Sequence, residues 1–149
     1  MSAKKKDQGN AAFKEGDNAT AAQAYKAGAD TLKDTRGFTP EQLAAASPLR
    51  VALLSNLAAA ALKLNDHNEA MEACLAALDI QEDNVKVVYR LAQAHLGMSE
   101  YDEAKKTAQR GLEIAPEGDT TFASLLTVIQ SKRAAYMKKQ KATYSKMFS

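Results

Sequence analysis

Apolar residues recur along this chain at the spacing of a helix face, i, i+3, i+4 and i+7, and the pattern runs from end to end. β-branched residues never fall into strand alternation, and no Asn-Gly or Asp-Gly pair offers a hairpin turn. The pattern predicts an all-α chain. Its main interruption is residues 37–48, which hold Gly37, Pro40 and Pro48.

An all-helical chain with short breaks invites a search for internal repeats. Sliding the sequence by 34 residues places Leu57, Ala58, Ala70, Ala77 and Glu82 on Leu91, Ala92, Ala104, Gly111 and Pro116. The small residues are the informative ones, because they mark points where antiparallel helices must approach closely. Ala58, Ala70 and Ala77 are spaced by 12 and 7, as are Ala92, Ala104 and Gly111, and as are Gly9, Ala21 and Gly28. Gly9 and Ala58 lie 49 residues apart, one period plus an insertion of 15. The chain therefore reads as three helix–turn–helix repeats, at 4–35, 49–82 and 83–116, with an insertion at 36–48.

Turn chemistry agrees with this division. Gly16-Asp17-Asn18, Asn65-Asp66-His67 and Ser99-Glu100-Tyr101 occupy one slot of the three repeats and read as interhelix turns. Asp66 with Glu69, and Ser99 with Asp102, have capping-box spacing. Within the insertion, Thr39-Pro40-Glu41-Gln42 reads as a cap followed by a first-turn proline, and Ser47-Pro48 repeats the device. The expectation is that the insertion extends the second helix of repeat one, forms a short helical turn, and yields at Ser47 to the next long helix. After Pro116, Phe122, Leu125, Leu126 and Ile129 form an apolar stripe. A stack of repeats leaves its last apolar face open, and residues 117–149 supply the capping helix it requires.

Composition narrows the class. The chain has 149 residues and a net charge of +2, one domain's length and too balanced a charge to argue for nucleic acid. Apolar content is 46% but aromatic content only 6%, with no tryptophan, which suits close, alanine-rich helix packing. The single cysteine permits no internal disulfide and fits a reducing compartment, the cytoplasm or the nucleus. The apolar runs are short and alanine-rich, under the ~20 residues of a membrane span. Met-Ser-Ala-Lys-Lys-Lys-Asp has no apolar stretch behind its lysines and reads as no secretory signal.

The period and its small residues resemble the tetratricopeptide repeat (TPR), over residues 4–116. The resemblance implies a right-handed α-solenoid with a solvating end helix. Lys6-Asp-Gln-Gly-Asn10-Ala-Ala-Phe13-Lys14 is similar to the opening of TPR domains in co-chaperones. Leu53-Leu-Ser-Asn56-Leu-Ala-Ala-Ala and Val85-Lys86-Val-Val-Tyr-Arg90 are similar to their second- and third-repeat signatures. The insertion and the end, Lys141-Ala-Thr-Tyr144-Ser-Lys-Met147-Phe148, resemble the large immunophilins of FK506-binding or cyclophilin type. In those proteins a prolyl isomerase domain precedes the repeats. The 149 residues hold no such domain, so the chain reads either as a separated TPR module or as a stand-alone relative; isomerase activity would need a fused domain, and the chain itself is expected to be neither an enzyme nor a cofactor binder.

The resemblance also implies a site. Lys6, Asn10, Asn56, Lys86 and Arg90 match a dicarboxylate clamp for the C-terminal Met-Glu-Glu-Val-Asp of heat-shock protein 90, or the related tail of heat-shock protein 70. Lys6, Asn10 and Asn56 take the main-chain carboxylate in that scheme and Lys86 the aspartate side chain. Arg90 contacts that side chain or the backbone before it. Phe13 and Ala59 wall the penultimate side chain. The residues support this independently. Lys6 and Asn10 share a helix face, as do Lys86 and Arg90, and Asn56 lies one period before Arg90. Nine acids lie between Leu64 and Glu103, and the only lysine or arginine among them are Lys86 and Arg90.

Other chemistry is thin. Cys74 falls in the slot of Tyr25 and Ala108 and reads as a buried thiol. His67 and His95 stand 28 residues apart with no ligand-spaced partner, so no metal site is expected. Residues 130–149 carry six bases and no acid, with Tyr136, Met137, Tyr144, Met147 and Phe148 interleaved. That end reads either as a solvated extension of the capping helix or as a basic amphipathic surface for an acidic partner. Calmodulin is the partner that the immunophilin resemblance implies.

Overall fold

In the computed structural model, which describes residues 2–148, helices follow one another along the whole chain. They are α1 (Ser2–Lys14), α2 (Asn18–Thr31), α3 (Pro40–Lys63), α4 (His67–Ile80), α5 (Val85–Gly97), α6 (Tyr101–Ile114) and α7 (Thr121–Met147), with no strand among the described residues. Each helix packs on its sequence neighbours, and α3 also touches α1 and α5. The result is an α-solenoid in which α1, α3 and α5 share one face.

The three interhelix turns are built alike. Gly16, Asn65 and Ser99 have positive φ, at 81°, 58° and 61°. The next residue's N–H reaches back to the carbonyl five positions earlier: Asp17 to Ala12, Asp66 to Ala61, Glu100 to His95, each at 2.9 Å. This is a left-handed helix stop of the Schellman kind. Asp17 and Asp66 then cap the following helix through the N–H groups of Thr20 and Glu69. Ser99 does not cap. Its left-handed backbone is spent ending α5, and Glu100 takes the N-cap position of α6 without a side-chain bond.

The insertion differs from expectation. α2 ends at Thr31, and α3 starts at the Thr39 capping box, where Gln42 N–H donates to Thr39 Oγ1 and Thr39 N–H donates to Gln42 Oε1. From there α3 runs unbroken through Ser47 and Pro48. Pro48 lacks the N–H that would bond the Ala44 carbonyl. Ala44 lies on an exposed turn of the helix, so the missing bond falls at the surface and the helix continues through the second start signal. By length and composition the resulting 24-residue α3 could cross a membrane, contrary to the reading from short apolar runs. Its inward face is instead core: Val51, Leu53, Leu54, Leu57, Ala58, Ala60 and Ala61 are buried.

The core has two parts. The first joins α1 to α5 and includes Tyr25, Leu53, Leu57, Cys74, Val87, Leu91 and Ala94; the second joins α5 to α7 through Val88, Ala92, Ala104, Ala108, Phe122, Leu125 and Ile129. The repeat-defining small residues are the close-approach points. Ala21, Ala58, Ala70, Ala77, Ala92 and Ala104 are wholly buried. A methyl added at Gly9 would sit 2.5 Å from the Tyr25 ring, and one at Gly111 would overlap the Phe122 ring.

Candidate functional site

Three helices bring the predicted cations and amides to one face. Lys6 of α1, Asn56 of α3 and Lys86 of α5 line a cleft of about 360 Å³, together with Ser55, Gln81 and Asn84. Pro48, Val51 and Ala52 complete its lining, so the N-terminal extension of α3 reaches the groove at Pro48. Lys86 also lines the adjoining cleft, about 480 Å³, where Arg90, Phe13 and Ala59 meet Leu62, Lys63, Tyr89 and Gln93. The predicted apolar walls, Phe13 and Ala59, thus stand beside the predicted cations. Asn10 lines neither cleft. It sits one turn after Lys6 on α1, exposed, with its side-chain oxygen engaged below.

Two buried side chains set the orientation of this polar array, and neither was legible as doing so in the sequence. The Tyr25 hydroxyl donates to Asn10 Oδ1 at 2.6 Å. That leaves the Asn10 NH₂ group as the available donor. Gly9 makes the room, since any side chain there would displace the Tyr25 ring. Arg90 Nη1 donates to Ser55 Oγ at 2.6 Å and to the Ser55 carbonyl at 2.8 Å. Ser55 thereby holds one arm of the guanidinium. Burial depresses the Arg90 pKa below its ordinary value, while Cys74 and Tyr25 nearby act in the opposite direction. An arginine stays protonated regardless. Burial pushes the Cys74 thiol up to about 12, which makes it an inert core residue, as read. Tyr25 could have been found from its slot, where the other repeats place the smaller Cys74 and Ala108. Ser55 had only its adjacency to Asn56.

The charges around the groove are sorted. Acids of the 64–103 stretch turn away from the groove: Glu69 to Lys26 at 3.4 Å, Asp83 to Arg110 at 2.6 Å, Asp102 to Arg133 at 3.4 Å, and Glu100 to the His95 ring at 2.9 Å. Among the described residues, neither Lys6 nor Lys86 has an ion-pair partner. No carboxylate lines either cleft. Unpaired cations, an amide side chain and an apolar wall thus stand side by side on helices, the kinds of group that bind an anion next to an apolar one. His95 is turned to Glu100, and the His67 ring lies over Gly97.

The tetratricopeptide-repeat family profile matches residues 61–129. Over 143 residues, 96% of this chain, the sequence is 33% identical to the peptidyl-prolyl cis-trans isomerase FKBP4 of Bos taurus. The chain is a tetratricopeptide-repeat domain. Its fold superposes on the C-terminal TPR-containing domain of a Plasmodium falciparum FK506-binding protein with a TM-score of 0.82 at 22% identity, covering 92% of this chain and 91% of that one. A second TPR structure, the first TPR of Spaghetti (RPAP3) bound to the HSP90 peptide SRMEEVD, matches with a TM-score of 0.72 at 26% identity, covering 89% of this chain and 93% of that one. The TPR domain spans about a third of the length of FKBP4, 31%. The isomerase activity in that relative's name is therefore not carried to this chain. The TPR fold is one of protein interaction.

Proposed function

We propose that this domain captures the C-terminal Met-Glu-Glu-Val-Asp tail of heat-shock protein 90 through a dicarboxylate clamp of Lys6, Asn10, Asn56, Lys86 and Arg90. The tail of heat-shock protein 70, which ends in the same Glu-Glu-Val-Asp, is the other candidate ligand. One observation carries the reading: Lys6, Asn56 and Lys86 converge on one cleft, and both lysines lack ion-pair partners among the described residues, Lys86 although it lies in an acid-rich stretch of sequence. Phe13 and Ala59 in the adjoining cleft suit the penultimate valine. The peptide named with the Spaghetti TPR ends in the same five residues.

Calorimetric titration with both tail peptides tests this. A short tail buries little area, so the expected affinity is on the order of micromolar, about −8 kcal/mol. Amidating the C-terminus removes one of the two carboxylates and should weaken binding well over tenfold. Equal affinity for free-acid and amidated peptides would overturn the clamp.

The end of α7 supports a second, separate surface. From Gln130 onward every described residue is exposed, and this stretch carries the six bases and no acid. Tyr144, Met147 and Phe148 are 66–73% exposed on it. An acidic partner such as calmodulin suits this chemistry, and calcium-dependent pull-down of the chain is its test. No retention in calcium would leave α7 as the solvated end of the cap.

A further inference from the structure

We propose that the buried Tyr25 hydroxyl determines specificity in the groove: it holds the Asn10 amide with its NH₂ group outward, and so makes α1 favour a peptide ending in a carboxylate over one ending in a carboxamide. This rests on the clamp reading and adds to it a positioning residue that touches no ligand itself.

The geometry fixes which way the amide faces. Tyr25 Oη and Asn10 Oδ1 are 2.6 Å apart. That is the length of an O–H···O bond, whereas N–H···O bonds cluster near ~2.9 Å. The hydroxyl therefore donates to the amide oxygen, and the NH₂ group is left over. Arg90 stands near enough for its positive charge to act on Tyr25. A cation there favours the phenol oxygen on its own side and the phenol proton on the other, toward Asn10. Burial pushes the Tyr25 pKa above its ordinary value, with Arg90 acting in the opposite direction, so the hydroxyl keeps the proton it donates. The ring is held in place, 3% exposed and packed where Gly9 carries no side chain. Asn10 itself is exposed, which opens its NH₂ group to a ligand.

Three positions change together between the repeats. Gly9, Asn10 and Tyr25 correspond to Ala58, Ala59 and Cys74 in the second repeat and to Ala92, Gln93 and Ala108 in the third. Where the residue on the second helix is small, the glycine facing it becomes alanine. Gln93 is an amide too, but Ala108 offers it no hydroxyl. The first repeat alone combines the room, the hydroxyl and the amide, and its first helix also carries Lys6. Packing by itself would ask only for a ring, and phenylalanine has the same one.

The hydroxyl matters because the two peptide ends differ in polarity. A carboxylate only accepts hydrogen bonds, while a carboxamide carries an NH₂ group that needs an acceptor. Lys6, one turn before Asn10, can only donate. An Asn10 fixed as a donor leaves the carboxamide NH₂ unpaired beside α1, and an unpaired polar group is how a site rejects a near-isostere. An Asn10 free to turn would offer it Oδ1.

The test is calorimetry with free-acid and amidated Met-Glu-Glu-Val-Asp on the parent domain, Tyr25→Phe, Asn10→Ala and the double variant. Tyr25→Phe keeps the ring, and thermal melts will check that each variant folds as the parent does. Tyr25→Phe should bind the free acid about three- to fivefold more weakly, a fraction of one charge-assisted bond. It should bind the amidated peptide as tightly as the parent does or up to about twofold more tightly, a gain that general loosening cannot produce. In the Asn10→Ala background, adding Tyr25→Phe should change free-acid affinity by less than about 1.5-fold, because the hydroxyl acts through Asn10. A parental acid-to-amide ratio on Tyr25→Phe, equal weakening of both peptides, or an undiminished effect without Asn10 overturns the role of Tyr25 and leaves the clamp intact. Indifference of the parent to amidation overturns the clamp, and this proposal with it.

Discussion

Replacing Phe122 by alanine should lower the stability of the domain by about 3–5 kcal/mol, the usual cost of deleting a fully buried aromatic ring. Phe122 is 1% exposed and the largest side chain so deeply buried. It joins α7 to two other helices at once. Its ring lies against Gly111 of α6 closely enough that a methyl there would overlap it, and it meets Tyr89 of α5 edge-on at 5.7 Å. Alanine cannot fill that space, and α7 cannot settle further because Leu125 and Ile129 fix its distance from the stack. Urea unfolding is the measurement. A loss under about 1 kcal/mol would mean that α7 repacks freely and is not the structural end of the solenoid.

The clamp substitutions should split into two kinds. Lys86 is exposed and has no ion-pair partner among the described residues, so Lys86→Ala should leave thermal stability near the parent's. Peptide binding should still fall about thirtyfold or more, roughly 2–3 kcal/mol for a charge-assisted bond lost and a carboxylate left unpaired. Arg90→Ala should weaken binding comparably and also lower stability. Arg90 is half-buried, and its removal strips Ser55 Oγ and the Ser55 carbonyl of their partner. Arg90→Lys should not rescue it. A lysine ammonium is a point charge and cannot hold Ser55 with one nitrogen while presenting others to a ligand. Calorimetry beside thermal melts separates these effects. Parental peptide affinity in Lys86→Ala would remove Lys86 from the site.

Much of this architecture could be read from residue spacing because close helix approach has a chemical signature. Gly9, Ala21 and Gly28 recur as Ala58, Ala70 and Ala77, and then as Ala92, Ala104 and Gly111, since a neighbouring helix, or a ring it carries, packs too closely there for anything larger. The turns were legible in position but not in detail. Serine suits a cap and also tolerates a left-handed stop, and at Ser99 the stop prevailed. The start of α3 was ambiguous because Thr39-Pro40 and Ser47-Pro48 carry the same signal. Only Thr39 forms the reciprocal capping box, with Gln42, and the helix it starts runs on through Pro48. Ser55 and Tyr25 escaped notice for another reason. Each acts across the stack, over 35 and 15 positions of chain, on a residue that no local pattern pairs with it.

α5 is a party wall. Its Val87, Leu91 and Ala94 belong to the core shared with α1 to α4, and its Val88 and Ala92 to the core shared with α6 and α7. Opening α6 and α7 away from it would uncover Val88 and Ala92 while Val87, Leu91 and the Arg90–Ser55 bond stayed in place. In a structure held by neighbour contacts, such an opening needs less than global unfolding. The face that carries Lys86 and Arg90 and the seat of α7 therefore fall in separate cooperative units, one of which can open while the other still holds.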